Sequence, residues 1–192
     1  MSYYFTILSS ADVPLFSQAF GTSKGGADGI ARFRYADNER YMNQFIIHAS
    51  LDIVEEVQWT NGAMYLKHID TYPPASAYIS AFLTGTGVRF LLLHQPPPST
   101  SQPGAGGSAS GSGGGLSASG FLSGASGSSR SSSSSIAHNP TSPQTEDAIR
   151  QFMNEVYENW VKAAMSPFYR RGMEITSPVF RSRVIAAGKK WL

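Results

Sequence analysis

Three side chains within eight residues could do chemistry together: His48, Asp52 and Glu55, spaced four and three apart. On a helix that spacing sets them along one face, where a metal ion or an acid/base pair could form. The solvated flank of an amphipathic helix produces the same pattern. The other histidines, His68, His94 and His138, are scattered and none has a ligand-spaced His partner. With no cysteine in 192 residues there is no thiolate metal site, cysteine nucleophile or disulfide. Gly85-Thr86-Gly87 joins two strand-like runs and lacks a following Lys-Ser/Thr, so it is not a phosphate loop. No Gly-x-Ser-x-Gly elbow occurs. A net charge of +2, with no Lys/Arg run longer than two, argues against nucleic acid as a partner. No apolar run approaches the roughly 20 residues that cross a bilayer, and Met1-Ser2-Tyr3-Tyr4 does not open like a signal peptide. The expectation is a soluble intracellular protein with no catalytic residue, no metal and no cofactor.

The elements that would position such residues are legible from periodicity. Tyr3 to Leu8 and Val13 to Phe20 read as a β-hairpin, followed by a Gly-rich, charged loop over Gly21 to Glu39. From Arg40 to Trp59 the period becomes helical. Met42, Phe45, Ile46, Ala49, Ile53 and Val57 share a stripe that predicts the core-facing side. Met64 to Thr71, Tyr78 to Thr84 and Val88 to His94 follow as strands. In the first of these Tyr65, Lys67 and Ile69 fall on one face. In the last, Val88, Phe90 and Leu92 alternate with Arg89, Leu91 and Leu93, so the sheet needs cover on both sides.

Between Ser99 and Ser135 the chain holds 16 Ser and 10 Gly, and its only charge is Arg130. Such a stretch lacks the apolar surface that offsets ordering entropy. Residues 95–143 therefore read as a disordered Ser/Gly/Pro-rich insert, and residues 1–94 plus 144–192 as one domain. The insert reads either as a tolerated loop expansion or as a regulated segment, with Arg130 before five serines and Ser142 before Pro143 as candidate phosphorylation sites. Thr145-Glu146-Asp147 predicts the start of a helix whose stripe runs Ile149, Phe152, Met153, Val156, Trp160, Ala163 and Ala164. Ser177-Pro178 starts the last, with Phe180, Val184, Ala187 and Trp191 aligned. The order is ββαβββαα.

Two groups lie off these stripes. Ile47, Leu51 and Val54, spaced i, i+4, i+7, project away from the predicted core face of the first helix. Large aliphatics there need either a covering loop, such as Gly21 to Glu39, or a partner protein. Tyr157, Val161 and Met165 repeat the pattern at i, i+4, i+8. They either widen the core face or bind a partner.

Several strings carry a resemblance: Tyr3-Tyr4-Phe5-Thr6-Ile7-Leu8, the run Asn43 to Val54, Met64-Tyr65-Leu66-Lys67, Phe82-Leu83-Thr84, Arg89 to His94, Met165-Ser166-Pro167-Phe168-Tyr169 and Gly188-Lys189-Lys190. The chain resembles the sedlin family, small subunits of the TRAPP (transport protein particle) tethering complexes. The resemblance implies an α+β longin (profilin-like) fold, a five-stranded antiparallel sheet with one helix on one face and two on the other. It also implies a non-catalytic adaptor linking core to peripheral TRAPP subunits, in an assembly that acts as exchange factor for a Rab-family GTPase. Vesicle tethering between endoplasmic reticulum and Golgi, with peripheral membrane association through the complex, follows from the same likeness. Asp52 lies in the family's helix block and is expected to help a partner surface formed with Ile47, Leu51 and Val54. The paralogous sedlin-like subunit and longin-type SNAREs are the alternative readings, and an enzyme built on His48, Asp52 and Glu55 is the last of them. The Ser/Gly insert departs from the short family pattern.

Overall fold

The computed structural model describes residues 2–21, 41–96 and 141–192. Ser2–Leu8 (β1) and Pro14–Gly21 (β2) pair as an antiparallel hairpin. Its turn is tied by Ser9 Oγ, which accepts from the amides of Ala11 and Val13 at 3.2 and 3.1 Å. Tyr65–Tyr72 (β3), Ala77–Leu83 (β4) and Arg89–Gln95 (β5) complete the sheet, with a short 3-10 turn at Pro73–Ala75 leading into β4. Strand order is β2-β1-β5-β4-β3, antiparallel at every pairing. The apolar β1 and β5 thus occupy interior positions, as strands without a polar face must.

Alternation along the strands builds two cores. Phe5, Ile7, Phe82, Phe90 and Leu92 point to one side, and Ile79, Ala81, Leu91 and Leu93 to the other. In the edge strand β3 the register shifts twice, between Tyr65 and Lys67 and between His68 and Asp70. These bulges break the expected alternation: Tyr65 packs with the first core and Ile69 with the second.

The predicted first helix is two helices, Tyr41–Ala49 (α1) and Leu51–Thr60 (α2). Ser50 causes the break. Its hydroxyl donates to the Ile47 carbonyl at 2.7 Å, and its amide is shared between the carbonyls of Ile46 and Ile47, both at 3.2 Å. Back-bonding of this kind bends a helix.

The face turned to the sheet is not the predicted one. Ile47, Leu51 and Val54 are buried, at 1%, 8% and 1% exposure, and pack with Ile46 on Leu66, Ile79 and Leu93. Phe45 stands 59% exposed and Ala49 is exposed too, while Met42, Ile53 and Val57 are half-buried. The buried positions are 43, 46, 47, 50, 51 and 54, a helical stripe that runs through the polar residues Asn43 and Ser50. A stripe sought among apolar side chains alone is displaced toward Phe45 and Ala49. Ile47, Leu51 and Val54 are therefore core residues and need no outside partner.

Pro143–Ala164 (α3) and Pro178–Trp191 (α4) cover the opposite face. α3 starts earlier than predicted. Ser142, not Thr145, is the N-cap, accepting from the Thr145 amide at 3.2 Å with Pro143 at the first helical position. Its buried stripe is Ile149, Phe152, Met153, Val156 and Trp160, as expected. In α4, Ser177 accepts from the Phe180 amide at 3.4 Å, and Phe180, Val184, Ala187 and Gly188 are buried. One broken helix on one face and a helix pair on the other make this an α+β, longin-like fold.

Gln95 belongs to β5, and Ser142 and Pro143 to the start of α3, so both ends of the predicted insert are part of the fold. Ser142 is buried and engaged as a cap. Residues 97–140, with Arg130 and His138, and 22–40, with most of the Gly21 to Glu39 loop, lie outside the described residues.

Two results are expected from this packing. A Cβ at Gly188 would lie 2.4 Å from Phe20 Cε1 where α4 crosses β2. Gly188→Val should cost about 1–3 kcal/mol, read as a lower urea midpoint; an unchanged midpoint would show that α4 does not sit this close. Burial holds the Tyr3 hydroxyl up at about 12, and burial, then the Glu146 carboxylate, raises Tyr65 further. Both pKa values rise on folding, so their contribution is complete below about pH 10, the unfolded tyrosine value, and is lost as pH climbs toward 12. The urea midpoint should fall between pH 9 and pH 11.5; a flat profile contradicts the burial.

Candidate partner-binding surfaces

The trio that opened the question of chemistry is divided by its surroundings. His48 and Asp52 are exposed on either side of the Ser50 break. The Glu55 carboxylate instead accepts from Arg89 at 3.0 Å, and Arg89 also pairs with Asp12 in the β1–β2 turn. Arg89 is only 9% exposed, so this ion triad ties α2, β5 and the hairpin turn together as structure. An arginine inside an otherwise apolar strand was the signal for it. Among the described residues no three His, Cys, Asp or Glu side chains are placed to hold a metal, and no helix is long and apolar enough to cross a membrane.

The outer side of α1 and α2 presents Tyr41, Phe45 and Trp59 at 63%, 59% and 84% exposure. His48, Asp52 and Glu56 lie exposed among them. Aromatics of this size at the surface mark contact sites more often than single exposed aliphatics do. Sequence periodicity placed Phe45 in the core and did not single out Trp59.

A second surface lies at the far end of the sheet. The β1–β2 turn at Ser9–Ala11, the β4–β5 turn at Thr84–Gly87, the last turns of α3 and the segment at Tyr169–Gly172 enclose a groove of about 650 Å³. Tyr157, Val161 and Met165 all line it, so the structure brings this predicted set together. Tyr157 is half-buried against Phe82 and Phe90, with ring centroids 5.4 and 6.4 Å away. Trp160 meets Tyr169 edge-on at 5.3 Å. Burial raises the Tyr169 hydroxyl pKa, against a lowering hydrogen bond with the Gly172 backbone. Met165 is 79% exposed. The Arg171 guanidinium donates to the Thr86 carbonyl at 3.3 Å, bridging the loop to the β4–β5 turn.

Comparison with known proteins decides the family. The sequence model described as Sedlin matches residues 7–190, nearly all of the chain. The chain belongs to the sedlin family. Among its relatives, the "Transport protein particle 20 kDa subunit" of Schizosaccharomyces pombe is 28% identical over 192 residues, covering all of both chains. The "Probable trafficking protein particle complex subunit 2" of Caenorhabditis elegans is 27% identical over 190 residues, 99% of this chain and 96% of the relative. Its Drosophila melanogaster counterpart is 25% identical over 191 residues, 100% of this chain and 97% of the relative. Sedlin membership thus agrees with the strings that carried the resemblance.

Proposed function

We propose that this sedlin-family chain is a subunit of a trafficking protein particle complex and works as an adaptor with no catalytic step of its own. The observation that carries this is the end-to-end match to proteins named as subunits of that particle, over 96–100% of their length. The finer reading is a link between core and peripheral subunits of an assembly acting on a Rab-family GTPase. It would sit peripherally, through the complex, at endoplasmic reticulum and cis-Golgi membranes.

Two surfaces suit an adaptor. The outer face of α1–α2 contributes Asp52 with Phe45 and Trp59, and the groove contributes Tyr157, Val161 and Met165. Ile47, Leu51 and Val54 hold the first surface in place from beneath. Burying exposed aromatics of this kind against a partner is worth on the order of 1.5–3 kcal/mol each before association costs. Size-exclusion chromatography of native cell extract tests the reading. A 20.7 kDa chain that is a subunit should elute almost wholly at high mass together with other particle subunits. Elution as a free species of about its own mass would contradict it.

A further inference from the structure

The groove at the end of α3 has a specific chemistry. Its walls are Leu15, Val88, Tyr157, Trp160, Val161 and Ala164, and Arg171 is the single charged side chain among the described residues lining it. Ser9 and Thr84, one in each of its two turns, spend their hydroxyls within those turns. Thr84 Oγ1 donates to the Val88 carbonyl and accepts from the Val88 amide, both at 3.0 Å. Ser9 Oγ accepts from two amides of its own turn. Beside its apolar wall the site offers one guanidinium, whose five donors exceed the single bond to Thr86. Arg170, exposed beside it, adds a second positive charge.

A concave site of this size accepts side chains, whereas a membrane surface is met by protruding ones. We propose that this groove binds a short segment of a partner protein in which a large apolar side chain lies beside a carboxylate. The apolar side chain fills the space against Trp160 and Val161, and the carboxylate takes the Arg171 fork. Arg–carboxylate pairing is directional and bidentate, so it sets the register of the segment while the groove supplies the buried area. The inference rests on the chain being a subunit of a multi-protein particle, and it adds the kind of partner segment this surface selects.

The test places a photo-cross-linker in the groove of the tagged full chain expressed in its own cells, as Met165→p-benzoylphenylalanine. Met165 is exposed, so the substitution should leave the fold intact. The expected product is a peptide of another particle subunit, with Asp or Glu within a few residues of the cross-linked aliphatic or aromatic side chain. Arg171→Glu should cut its yield at least tenfold without moving the melting temperature, and Arg150→Glu, on the exposed side of α3, should leave it unchanged. The inference is overturned by a product within this chain, on a second copy, on lipid, or on a peptide without a carboxylate. Absence of any product, or a yield indifferent to Arg171→Glu, overturns it equally. Particle subunits recovered with the tag are scored in the same sample. Their presence without an acidic cross-link removes the groove proposal alone, and their absence removes the subunit reading as well.

Discussion

Val54→Asp is expected to unfold the protein. Val54 is 1% exposed and sits among the apolar side chains of Ile47, Leu51, Leu66, Ile79 and Leu93, and Arg89, which reaches α2 from β5, is already paired with Asp12 and Glu55. A carboxylate there must either stay ionised without a partner or take up a proton and still lack hydrogen bonds. Burying an unpaired charge belongs to the few mechanisms that exceed about 4 kcal/mol, against a total stability of roughly 5–15 kcal/mol for a domain. Insoluble expression, or a melting transition shifted far below wild type, is the expected reading. Phe45→Asp, one face over on the same helix pair, should change stability by no more than about 0.5 kcal/mol. Equal melting of Val54→Asp and wild type would mean that this face looks outward after all.

Phe152→Ala should have the second-largest effect. Phe152 is fully buried at the centre of the opposite core. It meets Phe5 edge-on at 5.2 Å and Phe20 at 5.8 Å, and so joins α3 to β1 and β2. Truncation removes the ring's burial and leaves a cavity, typically about 3–5 kcal/mol. The two edge contacts add specificity, each on the order of 0.5–1.5 kcal/mol. Because Phe20 also packs under Gly188, loss of Phe152 should loosen α4 along with α3. A urea midpoint lowered by less than about 1 kcal/mol equivalent would contradict this picture of the core.

Element order, apart from the break at Ser50, the two-sided sheet and the α3 and α4 stripes were legible in the residues, because long apolar repeats leave little choice of face; the Ser142-Pro143 start of α3 was missed. The α1–α2 faces were not. Asn43 and Ser50 occupy core positions that hydrophobicity cannot flag, and Ser50 also breaks the helix on which a single projection depends. Asp52, expected to help a partner surface with Ile47, Leu51 and Val54, is exposed, whereas those three aliphatics are buried beneath it. The groove was legible in part. Tyr157, Val161 and Met165 stood out by spacing, but Ser9, Thr84 and Arg171 come from three distant segments that only the sheet brings together. The β3 bulges and the Arg89 triad likewise depend on pairing register and long-range contacts that local periodicity does not encode.

The most direct measurement is quantitative mass spectrometry of proteins recovered with the tagged full chain from its own cells. Other trafficking-particle subunits should be recovered at near-equal molar amounts and remain through washes at raised salt, since the exposed aromatics make much of the contact apolar. A chain that folds, by its melting transition, yet recovers none of these subunits would contradict the account.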